Sequence, residues 1–188
     1  IVQTLGAAVL LAGAAVSQAA EPAAAPKAPP VVTSSGVLNY GEYGRPTTLD
    51  PITNNDMIAM RITELVFNGL VGIDNKQQIA PELAESWEMA SDGLVYTFRL
   101  RKDVRWHARP GEEPRPFTAD DVVFTYKIMM HPKTITPLKV RYEFIDEVKK
   151  LDSHSVRFTL KRPIMNALPK FTFKIIPEFG PTNSAYLA

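Results

Sequence analysis

The chain has 188 residues, a formal net charge of +1, 45% hydrophobic residues and no cysteine. Near-balanced charge argues against an electrostatic nucleic-acid binder, which needs a basic excess on one face. The lack of cysteine rules out a disulfide framework, so packing must hold the fold; a unit of this size can bury roughly 70% of its unfolded surface.

The chain opens on Ile1 rather than Met and is expected to start inside a longer gene product. Leu5 to Val16 form an apolar run, short of the about 20 residues a bilayer span needs. Ser17-Gln18-Ala19 follows, with small residues where a signal peptidase reads. Residues 1–19 are therefore expected to be a truncated signal peptide. With no cysteine to carry a lipid anchor, the mature protein is expected free in the periplasm. Residues 20–35 contain four prolines and few large apolar groups, and read as a disordered Ala/Pro-rich linker.

The folded part is expected to open with a strand over Val37–Tyr43, where Leu38 and Tyr40 alternate with polar neighbours. Gly44, Pro46 and Asp50-Pro51 mark a loop. Ile58, Ile62, Leu65 and Val66 recur at helical spacing within Asp56–Asn68, with Gly69 where the helix would stop. Asn54, Asn55 or Asp56 can cap its start. Trp87 and Met89 alternate, Asp92-Gly93 has hairpin-turn chemistry, and Tyr96, Phe98 and Leu100 alternate with Thr97, Arg99 and Arg101.

Pro110-Gly111 and Pro114 to Pro116 form a second loop. Thr118, with Asp121 three residues on, then predicts a capped helix whose inner face is Val122, Tyr126, Met129 and Met130. Burying those four is worth roughly 6–12 kcal/mol, against about 1 for the cap. Pro132 and Pro137 end the helix. A hairpin is expected from Ile145–Leu151 through Asp152-Ser153-His154 to Val156, Phe158 and Leu160. A short helix near Asn166–Phe171 and an apolar strand around Ile175-Ile176 follow. The mixture points to an α/β fold.

His107, His131 and His154 each fall in a loop, without a partner at metal-ligand spacing, so no metal or other cofactor is expected. Metalloprotease, nucleophile-elbow, dinucleotide and Walker-type motifs are all missing from the sequence. Asp120 and Asp121 are adjacent and point to different sides of a helix, so they read as acids at a helix start. Trp87 and Trp106 could stack on a ligand but, as strand or strand-end aromatics, read as core; Arg99, Arg101, Lys102 and Arg105 read as a solvated strand face. No catalytic constellation emerges, and an enzyme is not expected.

Several segments together resemble the dipeptide- and oligopeptide-binding proteins of ABC importers, a family of solute-binding proteins. They are Thr48-Leu49-Asp50-Pro51, Phe67-Asn68-Gly69-Leu70, Ile79 to Trp87, Asp92-Gly93, Tyr96 to Trp106, Pro116 to Phe124, Val156 to Leu160 and Ile176-Pro177-Glu178. The resemblance implies the periplasmic binding protein-like type II fold, here incomplete. Residues 36–73 would begin lobe one, 74–170 would form an inserted small domain, and 171–188 would return to lobe one. The second lobe would follow Ala188.

In that family the ligand lies in a cleft between lobes closed by a hinge. The implied contacts are Asn54, Asn55, Asp56 and Met57, with Leu138 from the loop after the second helix; the histidines are expected elsewhere. The implied partners are a peptide or other small solute and a membrane permease. The protein is expected to be a monomer that binds no nucleic acid. Relatives of the fold that bind nickel chelates, haem or sugars supply the alternative; an exported enzyme or a periplasmic chaperone is a more distant one.

Overall fold

In the computed structural model, residues 41–108 and 110–179 are described. The expected signal peptide and linker, and residues 37–40 of the expected first strand, lie outside them; Gly41, Glu42 and Tyr43 carry no β-structure.

Helix α1 spans Met57–Val66, and the Asp56 carboxylate accepts the Ala59 N–H at 2.7 Å. That satisfies one of the four amides a helix start leaves open. The helix is buried along Ala59 and Thr63, with Ile58 and Ile62 half-buried. Leu65 and Val66, expected on the inner stripe, are 85% and 62% exposed. Two small side chains one turn apart let the backbone lie close on that side, which turns the bulkier pair outward. Past the helix, a Cβ on Gly69 would stand 2.8 Å from the Thr172 carbonyl oxygen, so this crossing admits only glycine.

A small antiparallel hairpin follows, β1 (Val71–Ile73) with β2 (Ile79–Pro81). Asp74 shapes its turn, accepting the Lys76 and Gln78 amides at 2.8 Å each. Strands of three residues carry too little alternation to be expected from sequence.

The main sheet has four antiparallel strands in the order β3-β4-β6-β5. These are β3 (Ala84–Met89), β4 (Val95–Leu100), β5 (Ile145–Asp152) and β6 (Ser155–Leu160). Both expected hairpins form. Gly93, at φ 69°, supplies the left-handed position of the first turn. In the second, Asp152 accepts the His154 N–H at 2.7 Å. Tyr96, Phe98, Leu100, Val156, Phe158 and Leu160 face inward, while Arg99 and Arg157 face out. Arg99 pairs with Glu88 at 3.5 Å and Arg101 with Asp103 at 2.7 Å, on exposed surface.

Helix α2 (Ala119–Met130) packs on β5 and β6. Its capping box forms as the sequence predicts: Thr118 Oγ1 accepts the Asp120 N–H at 3.3 Å and Asp121 accepts the Thr118 N–H at 2.9 Å. Val122 and Met129 are buried, but Tyr126 and Met130 are only half-buried; Ala119, Asp121, Thr125 and Ile128 complete the inner face. The stripe is displaced because Asp121 and Thr125 bind the chain beyond residue 175. Asp121 also accepts from Trp106 Nε1 at 3.2 Å and from the Glu178 N–H at 2.8 Å. Burial nonetheless holds its carboxyl above the usual carboxylate range. Asp120 turns outward to Lys150 at 2.6 Å, so the two adjacent acids do part company.

A short helix α3 (Leu138–Tyr142) precedes β5, and a 3-10 helix (Leu168–Thr172) follows β6. Asn166, expected inside the latter, has φ 55° and so stays outside any right-handed helix. Ile175 and Ile176 are buried but form no strand. The Ile175 amide donates to the Asn68 carbonyl at 3.0 Å and the Ile176 amide to Thr125 Oγ1 at 3.0 Å. With those groups satisfied by a loop carbonyl and a side chain, no ladder partner is needed.

The core is built around Phe98, which has no exposed surface. Ring centroids of Phe158 and Phe171 lie 5.6 and 4.9 Å away, and Trp87 stands at 6.5 Å. Phe98→Ala is expected to cost about 3–5 kcal/mol of unfolding free energy, measured by urea titration. A loss below about 1 kcal/mol would mean that the ring cluster is not the core.

Candidate functional site

Two segments form the candidate binding edge, residues 47–57 leading into α1 and residues 131–138 after α2. The first is a loop closed by its own side chains. Asp50 accepts the Ile52 N–H at 2.9 Å and the Thr53 hydroxyl at 2.7 Å, an arrangement its short carboxylate favours. Its carbonyl accepts the Asn54 N–H at 3.0 Å.

Asn54 is buried, and its side-chain amide donates to Thr63 Oγ1 at 3.2 Å. Asp56 accepts from Thr47 as well as from Ala59, at 3.1 Å from the amide and 2.6 Å from the hydroxyl. These bonds, the Ala59 amide foremost, hold its carboxyl below the usual range. Asn55 is exposed, and Met57 is 64% exposed.

The second segment starts at His131, where α2 ends. The His131 Nδ1 accepts the Lys133 N–H at 3.3 Å. Ile135 is 91% exposed. Leu138, the first residue of α3, is half-buried against the core, and its amide donates to Thr136 Oγ1 at 3.1 Å. The Thr136 hydroxyl in turn donates to the Ile52 carbonyl. The structure thus joins the backbones of the two segments and leaves Asn55, Met57 and Ile135 open. Sequence reasoning missed Thr136 and Ile135. The Asp-Pro-x-Thr pattern signals the Asp50 turn, but nothing local marks a bond spanning 84 positions.

Among the described residues no group of three or more His, Cys, Asp or Glu could hold a metal ion. No helix among them is long and apolar enough to cross a membrane. The edge carries neutral polar groups and exposed apolar side chains beside the charged Asp50, Asp56 and Lys133.

The fold is part of a type II periplasmic binding protein, and residues 78–186 match the model of the bacterial extracellular solute-binding proteins, family 5, middle region. The chain belongs to that family. It is 41% identical over 97 residues to di/tripeptide-binding protein 2 of Pseudomonas aeruginosa, covering 45% of this chain and 18% of that protein. NikZ of Campylobacter jejuni, solved in complex with Ni(L-His), superposes with a TM-score of 0.63 at 32% identity, over 74% of this chain and 27% of that one. The periplasmic binding protein DppA of Helicobacter pylori, solved with the peptide STSA, gives a TM-score of 0.63 at 28% identity, over 74% and 30%. The chain therefore spans less than a third of each of these relatives.

Asp56 gives a pH test of the loop. Its carboxyl is held below the usual range in the folded protein, so its contribution is present above that range and lost as pH falls through the lowered value. Asp56→Ala is expected to lower the urea midpoint at pH 7, with the gap to wild type closing as pH drops from about 4 downward. A gap constant with pH would remove the carboxylate from this role.

Proposed function

We propose that this chain is the N-terminal part of the substrate-capturing subunit of an ABC importer, which binds di- and oligopeptides and presents them to a membrane permease. Membership of a solute-binding family, together with similarity to proteins named for di- and tripeptides, carries this reading. In it the protein is exported, works free in the periplasm as a monomer, and makes or breaks no bond in its ligand. Residues 36–73 and 171–188 belong to the first lobe and residues 74–170 to an inserted domain. A second lobe, supplied by the rest of a full-length protein, closes over the ligand.

The five candidate residues then divide by chemistry. Asn55 and Met57 contact the ligand, since both are exposed. Asn54 and Asp56 hold the loop, because their side chains are bonded within it. Leu138 supports the edge from beneath.

Calorimetry of the full-length protein with a panel of di- to pentapeptides tests the reading. The expected result is heat of binding with Kd at micromolar or below, about −8 kcal/mol or better. Asn55→Ala should weaken binding by about three- to tenfold, the worth of one hydrogen bond, and Met57→Ala should weaken it through lost apolar contact. Heat from a nickel–histidine chelate and none from any peptide would move the protein to the ligand class of its Campylobacter neighbour.

A further inference from the structure

We infer that Thr136 is a positioning residue for ligand binding, one hydroxyl that locks the two segments of the binding edge into a single unit. This rests on reading residues 50–57 as the ligand-facing loop. The Thr136 oxygen makes two bonds of opposite sense. It donates to the Ile52 carbonyl and accepts the Leu138 amide at 3.1 Å. Ile52 is 1% exposed, so water cannot readily replace a lost donor at its carbonyl, and a buried carbonyl left unpaired is costly.

The bonds described for Asp50, Asn54 and Asp56 close the loop on residues 47–63. They fix its shape but not its place relative to α2 and α3. Thr136 reaches it from the far side of the sequence. The Ile52 carbonyl lies two residues before Asn54 and three before Asn55, so freeing it releases the strip of backbone that leads to both exposed contacts. A loop that holds its binding geometry for only part of the time lowers apparent affinity by that fraction.

The same segment contains its own control. Thr134, two residues earlier, is buried, and among the described residues its hydroxyl has no hydrogen-bond partner. Thr→Val at either position swaps a hydroxyl for a methyl of similar shape. At 134 the exchange removes an unsatisfied group; at 136 it removes the clasp. A generic intolerance of the loop to valine would affect both, and a positioning role only one.

The experiment uses the full-length protein and four variants: Thr136→Val, Thr136→Ala, Thr136→Ser and Thr134→Val. Peptide affinity is read by calorimetry, amide exchange of residues 52–57 by mass spectrometry, and fold by the urea midpoint. Thr136→Val is expected to weaken peptide binding by about three- to tenfold, the net worth of one ordinary hydrogen bond. It should also speed exchange over residues 52–57, with saturating peptide slowing it again. Thr136→Ser and Thr134→Val should match wild type in both readouts. Thr136→Ala stands in should the valine variant fail to fold.

Wild-type affinity in Thr136→Val, or equal losses at positions 134 and 136, would overturn this inference and leave the peptide reading intact. A wild-type protein that binds none of the peptides would sink both.

Discussion

Phe98 cannot be enclosed by its own hairpin, and most of the architecture follows from that. Its neighbours on β3 and β4 reach it from one side as Trp87 and along the strand as Tyr96 and Leu100, but a two-stranded ribbon leaves the inner face of the ring in water. Phe158 arrives from sixty residues downstream on β6, and Phe171 from the 3-10 helix beyond it, with centroids 5.6 and 4.9 Å away. Tilted and edge-on contacts at these distances suit the quadrupoles of the rings. Bringing Phe171 onto the sheet also forces the chain after β6 to fold back across it. That return places Thr172 against Gly69, where no side chain would fit.

The return path then depends on α2 rather than on a sheet. Asp121 and Thr125, one turn apart on the same face of α2, bind the amides of Glu178 and Ile176 at 2.8 and 3.0 Å. Such a side-chain clamp does for the extended segment what a ladder would do. The price is a carboxylate kept in a poorly solvated place, which is why burial outweighs three hydrogen bonds and leaves its pKa raised. Stability from this group is greatest below the ordinary carboxylate range and diminishes as pH rises through the raised value. The clamp therefore fixes geometry with a group whose ionised form is less favoured in this site than in water.

Features legible in the sequence were those decided within a few residues. The Asp56 cap, one of three candidates, the Thr118–Asp121 box and the turns at Gly93 and His154 depend on bonds between near neighbours, and each appears where the pattern allows it. Alternation along β4 and β6 is equally local. Illegible features were those whose partner lies far along the chain. Ile175 and Ile176 look like a strand because they are apolar and β-branched, yet their amides find Asn68 and Thr125 instead. Tyr126 and Met130 look like core until Asp121 and Thr125 are seen to rotate the inner face. The same limit applied at the candidate site. Spacing could nominate Asn54 to Met57, but it could not separate the bonded pair from the exposed pair, or show that Thr136 joins them to Leu138.

That separation bears on what kind of ligand this edge can hold. The Asp56 carboxylate accepts from Ala59 with one oxygen and from two Thr47 groups with the other. An ammonium group approaching it would compete with three short bonds that already lower its pKa. Capturing the charged end of a peptide is thus a poor use of this acid, and the proposed contacts that remain, Asn55 and Met57, are neutral. An amide can donate and accept, which matches a peptide backbone whatever its sequence, and a thioether on three rotatable bonds adapts to varied apolar surfaces. In the proposed reading, discrimination by charge therefore falls to groups other than Asn55, Asp56 and Met57. What Asn55 and Met57 supply is a neutral, adaptable surface held in place by hydrogen bonds that the ligand does not need to make.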